Sequence, residues 1–308
     1  MTGFFRFRLP TNQRLTAWLR CVTLPLLLLS STATASNKVV YPAGEIAGDT
    51  RYRDVIELLT TALEKTRPAF GAYTCQPSQR QVPKKRVIAE LASDDRSINV
   101  LWNPGSAKLE QDFLTIKIPL RKGLLGYRVM LIRKDKQAIF ENVRTLQDLK
   151  TIRFGQGTGW IDNTIFQHQD LPLVEAPYPQ LFAMLDADRF DAFPRGVGEI
   201  LDELEMQKEK FPNLTIEKNL LLYYPFPYYF FFNKKDAALK HRVETGLKIM
   251  LRDGSFDAIF LKYHQQAIQK LDLRNRRMIT LTNPDLAPDT PLNDNRLWYK
   301  PPGMSAAR

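Results

Sequence analysis

The sequence predicts an α/β fold built from two similar units, because an alternation of strands and helices occurs twice along the chain. Short apolar runs alternate with amphipathic stretches between residues 36 and 102, and the alternation restarts near residue 151. This order favours a mostly parallel sheet with helices on its faces. The chain of 308 residues is also longer than one core comfortably holds. Two units in series, each with its own core, is the economical interpretation.

The first 35 residues have the features of a secretory signal peptide. The first twenty carry four arginines and no acidic residue, and Val22–Leu29 is an apolar run too short to span a bilayer. Ala33-Thr34-Ala35 fits an A-x-A cleavage site. We expect cleavage after Ala35, with an uncleaved anchor as the alternative. The mature chain then has 273 residues, and its formal charge falls from +11 to +7.

The mature composition limits the class of protein. Cys75 is its only cysteine, because Cys21 leaves with the signal peptide, so no intrachain disulfide forms. No later stretch is apolar for long enough to cross a membrane. A basic balance without an RNA-binding aromatic motif argues against nucleic acid and fits an acidic ligand better. We expect a monomeric, exported protein of the Gram-negative periplasm.

The first unit is predicted from apolar spacing and from turn residues. Its expected elements are strands at Ser36–Tyr41, Gly71–Cys75 and Ser97–Trp102, and helices at residues 55–63 and Lys84–Ala92. Loops that follow such strands collect at one edge of the sheet, where open α/β folds bind ligands. The loop after the third strand combines an aromatic ring, an amide, a hydroxyl and an ammonium group, although a simple Pro104-Gly105 turn is the alternative. The predicted ligand contacts here are Tyr41, Trp102, Asn103, Ser106 and Lys108.

A glycine-rich turn opens the second unit. The strand that begins at Ile152 breaks into Gly155, Gly157 and Gly159, and a helix resumes near Ile161. Free backbone N–H groups at a helix start suit a carboxylate or another anion. The alternative is a tight turn that needs glycine only for its backbone dihedrals. The predicted ligand contacts in this turn are Gln156, Gly157, Thr158, Gly159 and Trp160.

The rest of the second unit continues the alternation. The expected strands are Arg189–Pro194, Leu214–Glu217 and Tyr228–Phe232, and the expected helices cover residues 197–210, 239–251 and 256–267. Gly254 is expected to end the second of these helices, and Ser255 to begin the third. The stretch from Thr282 is rich in proline and asparagine and is predicted to be extended.

Three motifs in this order resemble the polar-amino-acid-binding (family 3) type of periplasmic solute-binding protein. They are Leu146–Thr158, which opens the second lobe of that family, Ala187–Ala192, and Asn233–Tyr263. The resemblance implies the two-lobed type 2 fold, in which each lobe is a mixed, mostly parallel sheet flanked by helices. It implies a first lobe of residues 36–127 and 228–281, a second lobe of 128–227 and an extended tail of 282–308. A small ligand would bind in the cleft between the lobes, which closes by hinge motion.

The sequence departs from this family at two binding positions. Amino-acid binders usually hold the ligand carboxylate with an arginine where this chain has Gly105–Lys108. They often hold the ligand ammonium with an aspartate where this chain has Pro194-Arg195-Gly196. Arginine cannot pair with an ammonium group, so we expect an anionic or polar solute and place Arg195 in the cleft. A salt bridge at the surface or between the lobes is the alternative role for Arg195.

Catalytic motifs are scarce, and no G-x-S-x-G, P-loop or H-E-x-x-H pattern occurs. The three histidines are far apart and are expected at the surface or in packing, so we predict no metal and no cofactor. Glu199 and Asp202 are acid/base candidates if they face the cleft, and otherwise they are first-turn acids favoured by the helix dipole. The sequence thus predicts a binding protein that serves an inner-membrane transporter or sensor. A periplasmic enzyme of the dehydratase or lyase type is the alternative.

Overall fold

The computed structural model describes residues 1–4, 38–44, 51–80, 84–93 and 97–301. The chain divides into residues 1–35 and 36–308, and all of the elements below belong to the second part. Apart from residues 1–4, the predicted signal peptide lies outside the described residues, as do residues 302–308 of the predicted tail. Within the described ranges, no helix has the length and apolar character that crossing a bilayer requires.

The strands and helices alternate along most of the described chain. The strands are β1 (Lys38–Tyr41), β2 (Thr74–Pro77), β3 (Leu101–Pro104), β4 (Leu114–Ile116), β5 (Tyr127–Arg133), β6 (Phe154–Gly157), β7 (Leu173–Ala176), β8 (Phe193–Gly196), β9 (Leu214–Ile216), β10 (Leu220–Tyr223), β11 (Tyr228–Phe232) and β12 (Arg277–Thr280). The α-helices are α1 (Arg53–Lys65), α2 (Arg67–Phe70), α3 (Lys84–Ala92), α4 (Ala107–Asp112), α5 (Gln137–Glu141), α6 (Leu146–Leu149), α7 (Asp162–His168), α8 (Tyr178–Asp186), α9 (Ile200–Gln207), α10 (Ala237–Asp253) and α11 (Ser255–Leu271).

The first lobe contains β1 to β4 and β11. Strands β1 and β2 are parallel, and β11 lies between β3 and β4 and is antiparallel to both. The backbone N–H of Asn99 donates to the Val40 carbonyl at 2.9 Å and connects the two groups of strands. The Asn99 side chain also accepts from the Val40 N–H and donates to the Lys38 carbonyl. This side-chain pairing takes the place of a strand ladder, so β3 begins later than the predicted Ser97.

The second lobe contains β5 to β10 and β12. Its main sheet has the order β12-β10-β5-β8, with β9 also paired to β5. Strands β6 and β7 are parallel, and a bridge between Phe154 and Ala192 joins β6 to the chain just before β8. Strand β5 is antiparallel to β8, β9 and β10, so the sheet is mixed rather than mostly parallel.

The chain passes between the lobes at three places. The first crossing is at Gly126–Tyr127, before β5, and the second lies between β10 and β11. The third follows from β12, because this strand pairs in parallel with β10 of the second lobe. The lobe boundaries predicted from the sequence, which place residues 228–281 in the first lobe, remain a prediction, and β12 lies in that range while pairing with β10. The Arg277 N–H donates to the Asn219 carbonyl at 2.7 Å at the start of this pairing.

Helices α1 and α10 pack closely in the first lobe. The buried side of α1 contains the apolar residues that the sequence spacing predicted, Val55, Leu58, Leu59, Ala62 and Leu63. Gly246 of α10 lies directly against the backbone of α1, since a Cβ atom at this position would come within 2.2 Å of the Ala62 carbonyl oxygen. The close approach of the two helices therefore depends on the missing side chain of Gly246.

We expect Gly246→Ala to lower the free energy of unfolding by about 2 kcal/mol or more, the range of overpacked cores, because the clash involves backbone. Equilibrium unfolding in urea measures the change. Thr245→Ala is the matched control, since its side chain on the same helix is partly exposed and bonds to the His241 carbonyl of that helix, and its replacement should change stability little. Equal stabilities of the two variants would contradict the packing argument.

Candidate functional site

The glycine-rich turn after β6 satisfies its own N–H groups. The three N–H groups in question belong to Thr158, Gly159 and Trp160. Their acceptors are the Ala176 carbonyl at 3.0 Å, the Glu175 carboxylate at 3.4 Å and the Gly157 carbonyl at 3.1 Å, respectively. The sequence analysis expected these groups to be free for an anion. In this structure each of them has an acceptor within the chain.

The indole of Trp160 covers the end of β6 and forms one side of an aromatic cage. A Cβ atom on Gly157 would lie 2.2 Å from this ring, so glycine is needed for the close approach. The ring of Phe193 stacks on Trp160 with centroids 6.3 Å apart, and Tyr178 lies at 5.9 Å. The Arg195 guanidinium carbon sits 4.8 Å from the Trp160 ring centroid and 5.1 Å from that of Phe193. The chain's own arginine therefore fills the cage.

Arg195 is held by a bidentate ion pair inside the second lobe. Its Nε and Nη2 atoms each donate to a carboxylate oxygen of Glu203 at 2.6 Å. Tyr178 donates its hydroxyl to the same carboxylate at 2.9 Å. Burial alone would lower the pKa of Arg195, but Glu199 and Glu203 more than offset this and raise it. Arg195 therefore forms a salt bridge, but a buried one within residues 193–207, not the salt bridge at the surface or between the lobes that was the alternative.

A second buried arginine, Arg128, projects from β5. Its Nη2 lies 2.7 Å from the Asp162 carboxylate at the start of α7, and its Nε donates to the Tyr224 hydroxyl at 2.8 Å. Tyr224 donates this hydroxyl to Asp162 in turn. The Tyr224 ring is fully buried, and this burial raises the pKa of the Tyr224 hydroxyl well above its usual value. The triad thus joins β5, α7 and the crossing after β10 through charge-assisted hydrogen bonds.

A third buried arginine, Arg121, belongs to the loop before the first crossing. It donates to both carboxylate oxygens of Asp54, at 2.6 and 2.9 Å, and to the Arg51 carbonyl at 2.7 Å. The Nε2 atom of His264 on α11 lies 3.2 Å from the same carboxylate. Burial would raise the pKa of Asp54, but Arg121 and His264 more than reverse this and lower it.

These pairs surround Glu199, and together they form what we call the arginine–carboxylate cluster. Its members are Asp54, Arg121, Arg128, Asp162, Arg195, Glu199 and Glu203. The Glu199 carboxylate accepts from the Gly196 N–H at 3.1 Å and lies 3.2 Å from Arg195 and 3.8 Å from Arg128. Burial would raise the pKa of Glu199, but Arg195, Arg128 and Arg121, in that order, lower it to about 2.

Exposure separates Glu199 from the rest of the cluster. Its side chain is 33% exposed, whereas those of the other six members are at most 10% exposed. Three guanidinium groups face four carboxylates, and the His264 ring lies beside one of these carboxylates. Glu199 is therefore the charged group through which the cluster meets solvent.

The first lobe contributes an aromatic wall made of Tyr41, Tyr52, Trp102 and Tyr228. The Trp102 ring centroid lies 5.7 Å from that of Tyr41 and 5.6 Å from that of Tyr52. Tyr228 lies beside Arg121, whose guanidinium carbon is 5.3 Å from the ring centroid. Burial raises the pKa of Tyr228 well above its usual value. Through Tyr228 the wall thus adjoins Arg121 of the arginine–carboxylate cluster.

The other predicted contacts have different surroundings. The Asn103 amide is buried and donates to the Pro104 carbonyl at 3.2 Å. Ser106 caps α4 by accepting from the Leu109 N–H at 3.3 Å. Lys108 is 85% exposed and pairs with Asp112 along the same helix. Neither Ser106 nor Lys108 makes a described contact with the arginine–carboxylate cluster.

Gln156 is 1% exposed, and neither atom of its amide has a hydrogen-bond partner among the described residues. Such a group costs free energy unless water or a ligand satisfies it. The Gln156 amide is therefore available to hydrogen-bond a water or a ligand.

Among the described residues no group of three or more His, Cys, Asp or Glu side chains is arranged to hold a metal ion.

Sequence reasoning missed Arg121, Arg128, Asp54 and Asp162 as members of this site. One signal was available for Arg128, which directly precedes the apolar run of β5. A charge within a buried strand is costly unless it is paired. The position of Arg128 therefore predicts that a buried carboxylate lies beside it. The sequence does not reveal which carboxylate, because Asp162 lies 34 positions further along the chain.

Comparison with solved structures shows the fold of the chain. An arginine-specific periplasmic binding protein from Salmonella typhimurium aligns over 74% of this chain and 100% of its own, with 15% identity and a TM-score of 0.53. The chain has the two-lobed fold of the type 2 periplasmic binding proteins. This confirms the fold that the three sequence motifs predicted. No protein-family model and no curated protein sequence matches the chain.

Two further structures show the same fold. An L-arginine-bound substrate-binding protein of an amino acid ABC transporter from Streptococcus pneumoniae covers 75% of this chain and 96% of its own, with 16% identity and a TM-score of 0.51. An ancestral amino acid-binding protein, described as a precursor of cyclohexadienyl dehydratase, covers 74% and 95%, with 12% identity and a TM-score of 0.51.

We expect Glu203→Gln to lower the free energy of unfolding by about 3 kcal/mol, because it leaves the buried guanidinium of Arg195 without its bidentate partner. Urea unfolding measures the change. Glu205→Gln, on the same helix, is the control, since this side chain is 68% exposed and pairs only with Lys208. A loss of stability as large in the control as in Glu203→Gln would refute the importance of the buried pair.

Proposed function

We propose that the chain is an exported solute-binding protein that captures a small polar solute between its two lobes. We further propose that the solute carries an ammonium or guanidinium group. The observation that carries the proposal is Glu199, an ionised and partly exposed carboxylate at the surface of an otherwise buried cluster. A cation is the group that such a carboxylate attracts.

The aromatic wall supports the same class of solute. Tyr41 and Tyr52 are partly exposed, and both flank the ring of Trp102. Cations are attracted to the faces of such rings, at about 0.5–2 kcal/mol per contact. From the residues predicted by sequence, we therefore retain Tyr41 and Trp102 as ligand contacts. We also retain Gln156, whose buried amide is without a described partner.

Ion pairing weakens the argument for an anionic solute. Arg195, the cation that the sequence analysis placed in the cleft, would have to leave Glu203 to bind an anion. Lys108 is exposed and pairs with Asp112 on its own helix. The structural neighbours from Salmonella and Streptococcus are described as specific for arginine or bound to it, and their likeness in fold is compatible with a cationic solute.

The expected setting is the periplasm. The signal peptide predicted from residues 1–35 and the periplasmic binding-protein fold both support export. The solute would be delivered to a transporter or a sensor in the inner membrane. Closure of the lobes about the two crossings that flank β5 to β10 would enclose it.

A dehydratase or lyase on the same scaffold is the alternative, and one structural neighbour is described as a dehydratase precursor. An efficient general acid or base has a pKa near the working pH. The pKa of Glu199 is about 2, so at neutral pH this group is a weak base and is not protonated to act as an acid. This property favours binding over catalysis at Glu199. Product formation from a bound solute would reverse that preference.

A thermal-shift screen of basic amino acids, polyamines, neutral amino acids and dicarboxylates tests the proposed solute class. We expect stabilisation by compounds with an ammonium or guanidinium group, in proportion to RT ln(1 + [L]/Kd). Glu199→Gln should abolish the stabilisation, because it removes the charge that faces the solute. Asp202→Asn is the control, since this exposed acid lies in the first turn of the same helix. Stabilisation by dicarboxylates alone would show that the solute class is wrong.

The low pKa of Glu199 predicts how binding depends on pH. Because the pKa is lowered to about 2, the carboxylate stays ionised well below neutral pH. For a solute whose own charge is constant, the affinity should be constant between pH 4 and pH 8. Isothermal titration calorimetry at several pH values measures this. A tenfold loss of affinity between pH 6 and pH 4 would argue against Glu199 as the anionic partner.

A further inference from the structure

The stretch that follows β12 connects the two lobes at the side of α4 and α7. We call residues 281–290 the strap. It begins in the second lobe, where the Leu281 N–H donates to the Tyr223 carbonyl at 2.7 Å next to β10. It then passes the second crossing, where the buried amide of Asn283 donates to the Pro225 carbonyl at 2.9 Å. The strap is thus a third covalent link between the lobes.

Asp285 of the strap contacts both lobes at once. Its carbonyl accepts from the Ala107 N–H at 2.8 Å, in the first turn of α4. Its carboxylate accepts from the Thr164 hydroxyl of α7 at 2.6 Å. Helix α4 lies between β3 and β4 of the first lobe, and α7 lies between β6 and β7 of the second. One residue therefore joins a helix of each lobe.

The contact with α4 occupies a group that an anion would otherwise attract. The first N–H groups of a helix have no acceptor within the helix. In α4 the Ser106 hydroxyl accepts from Leu109, and the Asp285 carbonyl accepts from Ala107. The strap thus covers the start of α4. This start belongs to the loop that the sequence predicted to contact the ligand.

The strap is anchored to the first lobe beyond Asp285. Asp289 forms an ion pair with Lys117, which also pairs with Glu110 of α4. Further along, the Tyr299 N–H donates to the Lys122 carbonyl at 2.7 Å. These contacts hold the strap on the first lobe, so a movement of the second lobe away from it would break the Asp285–Thr164 bond, together with the longer bond of 3.4 Å from the Gln169 amide to the Thr282 carbonyl.

We propose that Asp285 is a latch that holds the two lobes together in the absence of solute. Opening of the lobes separates α7 from α4 and therefore breaks the charge-assisted hydrogen bond between Asp285 and Thr164. The latch shifts the equilibrium toward the closed form by the free energy of this bond. The inference requires the two-lobed fold, and it does not depend on the identity of the solute.

Distance measurements on the solute-free mature protein test the latch. Spin labels are attached to Lys108→Cys on α4 and His168→Cys on α7, both exposed positions, in a Cys75→Ala background. We expect Asp285→Ala and Thr164→Val each to raise the ratio of open to closed forms roughly threefold to tenfold, the range of one typical hydrogen bond, because this bond is exposed to solvent. Electron–electron double resonance reports this as growth of a longer distance between the labels.

Asp294→Ala is the matched control, because it cuts an ion pair with Arg296 that is local to the stretch after the strap. The double variant Asp285→Ala/Thr164→Val should open no further than either single variant, since both remove the same bond. Unchanged distances in both single variants, with circular dichroism showing a folded protein, would overturn the latch. Because no solute is present, this result is independent of the thermal-shift screen.

Discussion

Three buried arginines set the main constraint on this protein. Each guanidinium is at most 9% exposed, and removal of its carboxylate partner would cost several kcal/mol, because it would leave a buried charge unpaired. Their carboxylate partners lie on α1, α7 and α9. The need for ion pairing therefore fixes where α1 and α7 begin and which face of α9 is turned toward Arg195. The charge pairs lie where β5, β8 and the crossings meet. These charged groups therefore define the electrostatics of this region.

This arrangement explains why the arginines are poor binding groups and why Glu199 remains as the candidate. A guanidinium with two short bonds to a carboxylate has little left to offer a solute. Glu199 has no bidentate partner, and it is the fourth carboxylate beside three arginines. Its low pKa reflects those cations, and its exposure reflects its position at the start of α9. The aromatic rings of the first lobe add a surface that suits the same kind of charge.

Much of the fold was predictable, because local periodicity determines it. The apolar spacing gave α1 and α10 closely, and the bounds of α3 agree with the prediction. Strands β4, β10 and β12 were not predicted, since each has only three or four residues and gains its stability from partners distant in sequence. The site was less predictable than the fold. Arg195 was recognised as important from the sequence. Its pairing with Glu203 depends on the helical turn that brings residue 203 back over β8. Sequence spacing alone does not reveal which acidic residue pairs with a buried arginine.

The distribution of tryptophan has a practical consequence. After removal of residues 1–35, three indoles remain. Trp102 lies in the first lobe, Trp160 closes the aromatic cage of the second, and Trp298 lies beyond the strap, where its indole N–H donates to the Pro291 carbonyl at 2.8 Å. The three indoles thus lie in three distinct segments of the chain. Emission spectra of proteins that retain a single indole would follow each segment separately, without any attached dye.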